Sequence, residues 1–155
     1  MGAQVEEGVR DILDQWAIEA VLKRYARALD ERAFDALDLC FTADAHLDYT
    51  CAGGPAGPYP DVKRWLEAVL PPIAEMQHFT TNVEITVDGN EARGTSYTLN
   101  INGLKVASGE VKHMIVGAQY IDQFRRTPDG WRIVDRREER FATFGHRFGP
   151  EDVTT

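Results

Sequence analysis

Cysteine is scarce in this chain: its 155 residues hold only Cys40 and Cys51. Their placement makes neither a metal-binding spacing nor a disulfide framework. Cys40 lies among apolar neighbours and reads as a small core residue. Basic charge is also short, with 17 Lys and Arg against 25 Asp and Glu and a net −8 at pH 7. An anionic surface repels phosphates, and no basic, aromatic-rich stripe offsets it, so a nucleic-acid partner is not expected. Arg136-Arg137 is followed at once by Glu138-Glu139 and reads as a strand with paired charges. Long apolar runs are missing: none approaches the roughly 20 residues that span a bilayer. The start, Met1-Gly2-Ala3-Gln4-Val5-Glu6-Glu7, has neither the basic flank nor the apolar centre of a signal peptide. The expectation is a cytoplasmic protein without a membrane partner. No Gly-Lys-Ser/Thr ending follows the Gly- and Pro-rich loop from Cys51 to Pro60, which argues against nucleotide binding. Metal-ligand clusters, repeats and low-complexity tracts are lacking as well.

What is present is the composition of one soluble globular domain, 43% apolar and 27% charged. The first half reads as helical. Ile12, Ile18, Val21, Leu22, Tyr25, Ala28 and Leu29 fall at the three-and-four spacing of one helix face, with Lys23, Arg24 and Arg27 opposite. A second short helix is expected over Arg32 to Leu39, and a short strand from His46 to Thr50 with Leu47 and Tyr49 on one side. A third helix, capped by Asp61, carries Val62, Trp65, Leu66, Val69 and Leu70 before Pro71-Pro72. From His78 onward the pattern alternates. Val83, Ile85 and Val87 lead to the turn Asp88-Gly89-Asn90; Thr95, Tyr97, Leu99 and Ile101 lead to Asn102-Gly103, a strong hairpin signal. Met114, Val116, Ala118, Tyr120 and Phe124 follow, then Pro128-Asp129-Gly130 and Trp131-Arg132-Ile133-Val134, with a loose tail expected from Gly149. Helices first and long hairpins afterwards predict an α+β fold, a curved antiparallel sheet with the helices on one face and a cone open at one end.

Tyr25 on the inward stripe must find a hydrogen-bond partner or a ligand, and Asp30 follows where the stripe runs out. A phenol and a carboxylate at the floor of a cavity can begin an acid–base site. The plainer reading is a core tyrosine and an Asp that caps the next helix. Strict alternation would place His78 with Thr80, Asn82 and Glu84, opposite Phe79, Val83, Ile85 and Val87, so His78 faces away from an apolar cavity unless a bulge re-aims it. His113 can line a pocket but ranks below His78. His46 and His146 read as surface residues, and Trp16, Trp65 and Trp131 fit core or pocket wall without a site role.

Tyr25-Ala26-Arg27-Ala28-Leu29-Asp30, Phe34-Asp35-Ala36-Leu37, Phe41-Thr42-Ala43-Asp44-Ala45, Asp48-Tyr49, Met76-Gln77-His78 and Gly130-Trp131-Arg132-Ile133 occur in this order. In order and spacing they resemble the SnoaL-like branch of the nuclear transport factor 2-like superfamily, from about Val9 to Phe144 of a single domain over residues 1–155. The resemblance implies a cone-shaped α+β barrel, a pocket between helices and sheet, and a homodimer through the sheet's outer face. Its site residues are most similar to those of scytalone dehydratase and bile-acid 7α-dehydratase. It implies Asp30, His78 and Tyr25 as catalytic residues, and Tyr49, Asn100 and Arg140 as substrate-binding ones, with no cofactor and no metal. The Ser and Asn pair of the scytalone enzyme falls here at Ala118 and Tyr120, a departure that bears on substrate. In such a site His78 would remove a carbon-bound proton, Asp30 would hold its tautomer, and the phenols would polarise a carbonyl. The expected function is a cofactor-free dehydratase, isomerase or cyclase on a hydrophobic, ring-containing hydroxy-carbonyl substrate, in a mostly apolar pocket. The alternative is a ligand-binding or assembly subunit of the same fold that performs no chemistry.

Overall fold

The apolar stripe that ends at Leu29 belongs to helix α1, Gly2–Asp30. The computed structural model describes residues 2–106 and 108–146, with all side chains but those of residues 2–4, 7, 140 and 141. Ile18, Val21, Leu22, Tyr25, Ala28 and Leu29 are buried as the stripe requires. Ile12 is not: it is 52% exposed, and Val5, Val9, Leu13 and Trp16 stand out with it on the N-terminal half of the helix. The reason is angular. These five recur at the same three-and-four spacing but on the side of α1 opposite the buried stripe, so the helix carries two apolar faces and the sheet covers one.

The helix ends by a hydrogen-bond pattern that fixes Asp30. Ala33 N–H donates to Ala28 O and Arg32 N–H to Leu29 O, while Arg32 takes the left-handed conformation at φ 53°. Glycine usually holds this place because it has no Cβ to strain. Here the Arg32 guanidinium adds bonds to Asp30 O at 2.7 Å and to Ile73 O, tying the helix end to the start of the first long strand. The expected second helix is reduced to a 3-10 turn, Phe34–Leu39, without a side-chain cap.

Next come β1 (Phe41–Asp48), a short β2 (Ala56–Pro58) and helix α2 (Tyr59–Val69), which starts ahead of Asp61 with Pro60 in its first turn. Four long strands complete the chain: β3 (Ile73–Asp88), β4 (Glu91–Lys105), β5 (Val111–Thr127) and β6 (Gly130–Gly145). They form one sheet in the order β2-β1-β6-β5-β4-β3. All neighbours pair antiparallel except β1 with β6, which run parallel, so the curved and unclosed sheet is mixed.

The Asn102-Gly103 hairpin is not formed. β4 continues through both residues and the chain turns after Lys105, where Gly109 adopts φ 86° and donates to Val106 O. Gly103 serves close approach instead: a Cβ there would meet Val111 Cγ1 at 2.9 Å and Glu75 Cβ at 3.1 Å. Asn102 is buried on the concave side.

Candidate active site

His78 faces the concave side because β3 is bulged. Between Thr81 and Glu84 the register with β4 slips by one residue, and Asn82 takes φ 49°. The bulge reverses the alternation, so Met76, His78 and Thr80 share the inner face with Val83, Ile85 and Val87, while Phe79 points outward. A second bulge works the same way on β6. Gln123 pairs Asp135 and Phe124 pairs Ile133, which leaves Val134 as the extra residue. Trp131 and Ile133 are buried before it, Arg136 and Glu138 after it. Both bulges turn polar side chains into the cone.

Asp30, at the end of α1, meets His78 directly. Its Oδ1 lies 2.6 Å from His78 Nδ1, and its Oδ2 accepts the His78 backbone N–H at 3.1 Å. The carboxylate is thereby held by ring and main chain at once. With the carboxylate as acceptor, Nδ1 carries the hydrogen and Nε2 keeps the basic lone pair. The His78 side chain is 7% exposed and that of Asp30 25%. The dyad sits where an open groove beside Lys23, Arg27 and Glu31 meets an inner cavity; His78, Thr80 and Ala26 border both.

The inner cavity is lined by Leu22, Tyr25, Ser96, Thr98, Tyr120 and Arg136 as well, and these side chains close in on it. It leaves no room for a guest even the size of water, so a ring compound requires its walls to part. The expectation of mostly apolar walls is corrected here. On β4 the apolar Tyr97 and Leu99 point outward, and the inner face presents Ser96, Thr98, Asn100 and Asn102.

Tyr25 lines this cavity, and its hydroxyl bonds that of Tyr49 at 2.8 Å. Tyr49 stands behind it, outside the lining. Burial, foremost, holds Tyr25, Tyr49 and Tyr120 above the ordinary phenol range, so all three remain O–H donors at neutral pH. Asn100 pairs His78 in register, but its amide oxygen is taken by Thr98 Oγ1 at 2.6 Å and it does not line the cavity. The side chain of Arg140 lies outside the described residues.

The arginine that the cavity does present is Arg136. Its Nε and Nη2 each bond Asp122 at 2.7 Å, and its Cζ sits 4.4 Å from the Tyr25 ring centroid and 4.1 Å from that of Tyr120. Burial opposes its charged form, but the Asp122 carboxylate outweighs burial and keeps the guanidinium well above its ordinary pKa. Burial also pushes the Glu138 carboxyl up to about 7, with Arg136 pulling the other way. The sequence hides Arg136, Glu138 and Ser96 because a four-residue charge run looks solvated and a strand serine looks incidental. The one available signal is Asp122, a carboxylate set in phase with Tyr120 and Phe124 on β5.

Among the described residues no group of three or more His, Cys, Asp and Glu side chains is arranged to hold a metal ion. An uncharacterized protein of Mycobacterium tuberculosis is 39% identical over 132 residues, 85% of this chain and 88% of its own length, and one from Mycobacterium bovis matches equally. Among solved structures, a candidate scytalone dehydratase from Novosphingobium aromaticivorans superposes with TM-score 0.75 at 23% identity, over 91% of this chain and 93% of its own. A hexachlorocyclohexane dehydrochlorinase gives TM-score 0.65 at 19% identity, over 99% of this chain and 100% of its own. At such identities the likeness shows the fold, the nuclear transport factor 2-like cone. The SnoaL-like domain model matches residues 10–137, and the chain belongs to that family.

Proposed function

We propose that this protein is a cofactor-free lyase or isomerase that removes a proton from carbon beside a carbonyl. The observation that carries the reading is the contact between Asp30 and His78 at the mouth of the inner cavity. His78 Nε2 takes the proton from the carbon next to the carbonyl, and the C–H electron pair forms an enolate. Asp30 stabilises the imidazolium that results. In a dehydration the enolate then expels a hydroxyl from the next carbon, which leaves as water with a proton from His78 or Tyr25. In an isomerisation the proton returns at another carbon. Tyr49 orients the Tyr25 hydroxyl. The substrate is a hydrophobic, ring-containing hydroxy-carbonyl compound of polyketide or steroid type.

The narrowness of the cavity favours a second reading, a subunit that keeps the cone and does no chemistry. Turnover decides between them. Hydroxy-ketone polyketides and steroids are screened for loss of water by mass, and the active compound is then given to His78→Ala and Asp30→Asn. Both variants should lose about a hundredfold or more of kcat, the usual scale for a general base. An active substrate turned over normally by both would sink the mechanism.

A further inference from the structure

The inner end of the cavity carries two hydrogen-bonding groups that the fold leaves unmatched. Among the described residues, the buried side-chain nitrogens and oxygens without a partner are Thr42 Oγ1, Ser96 Oγ and Arg136 Nη1. The last two line the same cavity as His78. Native structures keep few such groups, because an unmatched buried donor forfeits its bonds to water and gains none in return, and a charged one loses more. Arg136 cannot turn to relieve it. Its other two nitrogens are fixed on Asp122, and the rings of Tyr25 and Tyr120 lie within 4.4 Å of its Cζ. A purely structural role explains neither group: an apolar pair could replace Arg136 and Asp122 in a core, and alanine would spare the fold the Ser96 hydroxyl.

We infer that Arg136 Nη1 and Ser96 Oγ form an oxyanion subsite, which receives the carbonyl oxygen of the substrate as His78 removes the neighbouring proton. This rests on the reading of His78 as the base. Donors already fixed in a water-poor cavity stabilise charge as it develops on that oxygen without reorganising. Asp122 cancels much of the guanidinium charge locally. The subsite therefore suits a planar ketone and its delocalised enolate better than a carboxylate or a phosphate, whose full charge would be poorly matched.

The probe is para-nitrophenol, whose flat, delocalised phenolate resembles an enolate and absorbs in the visible. Wild-type protein should bind it at millimolar concentration or below and keep the bound probe ionised at a pH where the free phenol is protonated. Ser96→Ala should weaken binding about tenfold, the worth of one hydrogen bond to a charged group, while Tm stays equal or rises. Arg136→Leu with Asp122→Leu removes both charges together, which spares the fold a lone buried ion, and should abolish the shift in ionisation. No binding by the wild type, or equal affinity and pH profile in folded Ser96→Ala and double-variant protein, overturns the subsite. Binding that depends on Arg136 and Ser96 in a protein with no turnover would uphold the subsite and sink the lyase reading alone.

Discussion

Glu138 is the residue whose protonation couples the interior of the cone to pH. Its carboxyl is pushed from 4.5 to about 7 by burial, so between those values the folded chain holds a proton that the unfolded chain has released. Stability from this group is therefore fully present below pH 4.5 and lost as pH rises from there through about 7. At 1.36 kcal/mol for each pH unit the loss amounts to at most about 3 kcal/mol. Glu138→Gln, which keeps shape without the proton, should match wild type in urea unfolding at pH 4 and exceed it at pH 8. Equal stability at both values would show that Glu138 ionises freely. The residues of the site were unequally legible. Tyr25 could be placed on the inner face by periodicity, and Asp30 and His78 by resemblance. Arg136 could not, since nothing in Arg136-Arg137-Glu138-Glu139 says which of each pair turns inward.

The answer lies at the level of the strand, where a single inserted residue decides what alternation alone assigns wrongly. On β3 the bulge at Asn82 resolves the conflict between an inward His78 and an inward Val83, Ile85 and Val87. On β6 the extra Val134 lets buried Trp131 and Ile133 be followed by buried Arg136 and Glu138. Polar side chains are thus imported without breaking the apolar wall at the far end of the cone. Asn82 is suited to its φ of 49°, which a β-branched residue resists. Asn82→Val should cost about 1–2 kcal/mol of stability, and Asn82→Gly should stay near neutral, as read from urea midpoints. A valine variant as stable as wild type would mean that the bulge does not depend on this conformation. At the helix end, Arg32 offsets its own left-handed strain through Asp30 O and Ile73 O. The same contacts set Asp30 against β3, so the local cost serves the dyad. Asn102-Gly103 misled because a glycine demanded by close packing and one demanded by a turn look alike in sequence.

The order of helices and hairpins was enough to read the α+β cone at the scale of the whole molecule, but not the parallel pairing of β1 with β6, which joins segments far apart in the chain. It also left the outer face of the sheet to be explained. Phe79 (48%), Tyr97 (40%), Leu99 (42%), Ile115 (36%) and Phe144 (63%) are exposed there. Register makes them neighbours, with Phe79 opposite Leu99, Ile101 opposite Ile115, and Ile115 opposite Phe144. A continuous apolar surface across four strands is the kind that marks an interface. A second copy turned by a two-fold axis presents the same surface to itself and closes the assembly. The homodimer is accordingly a prediction of this face. Light scattering at micromolar concentration should give twice the chain mass. Leu99→Glu should give a monomer with its thermal unfolding otherwise preserved, since the side chain lies outside the core and only the interface is charged. The apolar stripe of Val5, Val9, Ile12, Leu13 and Trp16 on α1 is the competing surface. A dimer that survives Leu99→Glu but not Trp16→Glu would move the interface to the helix, and a wild-type monomer would remove the dimer altogether.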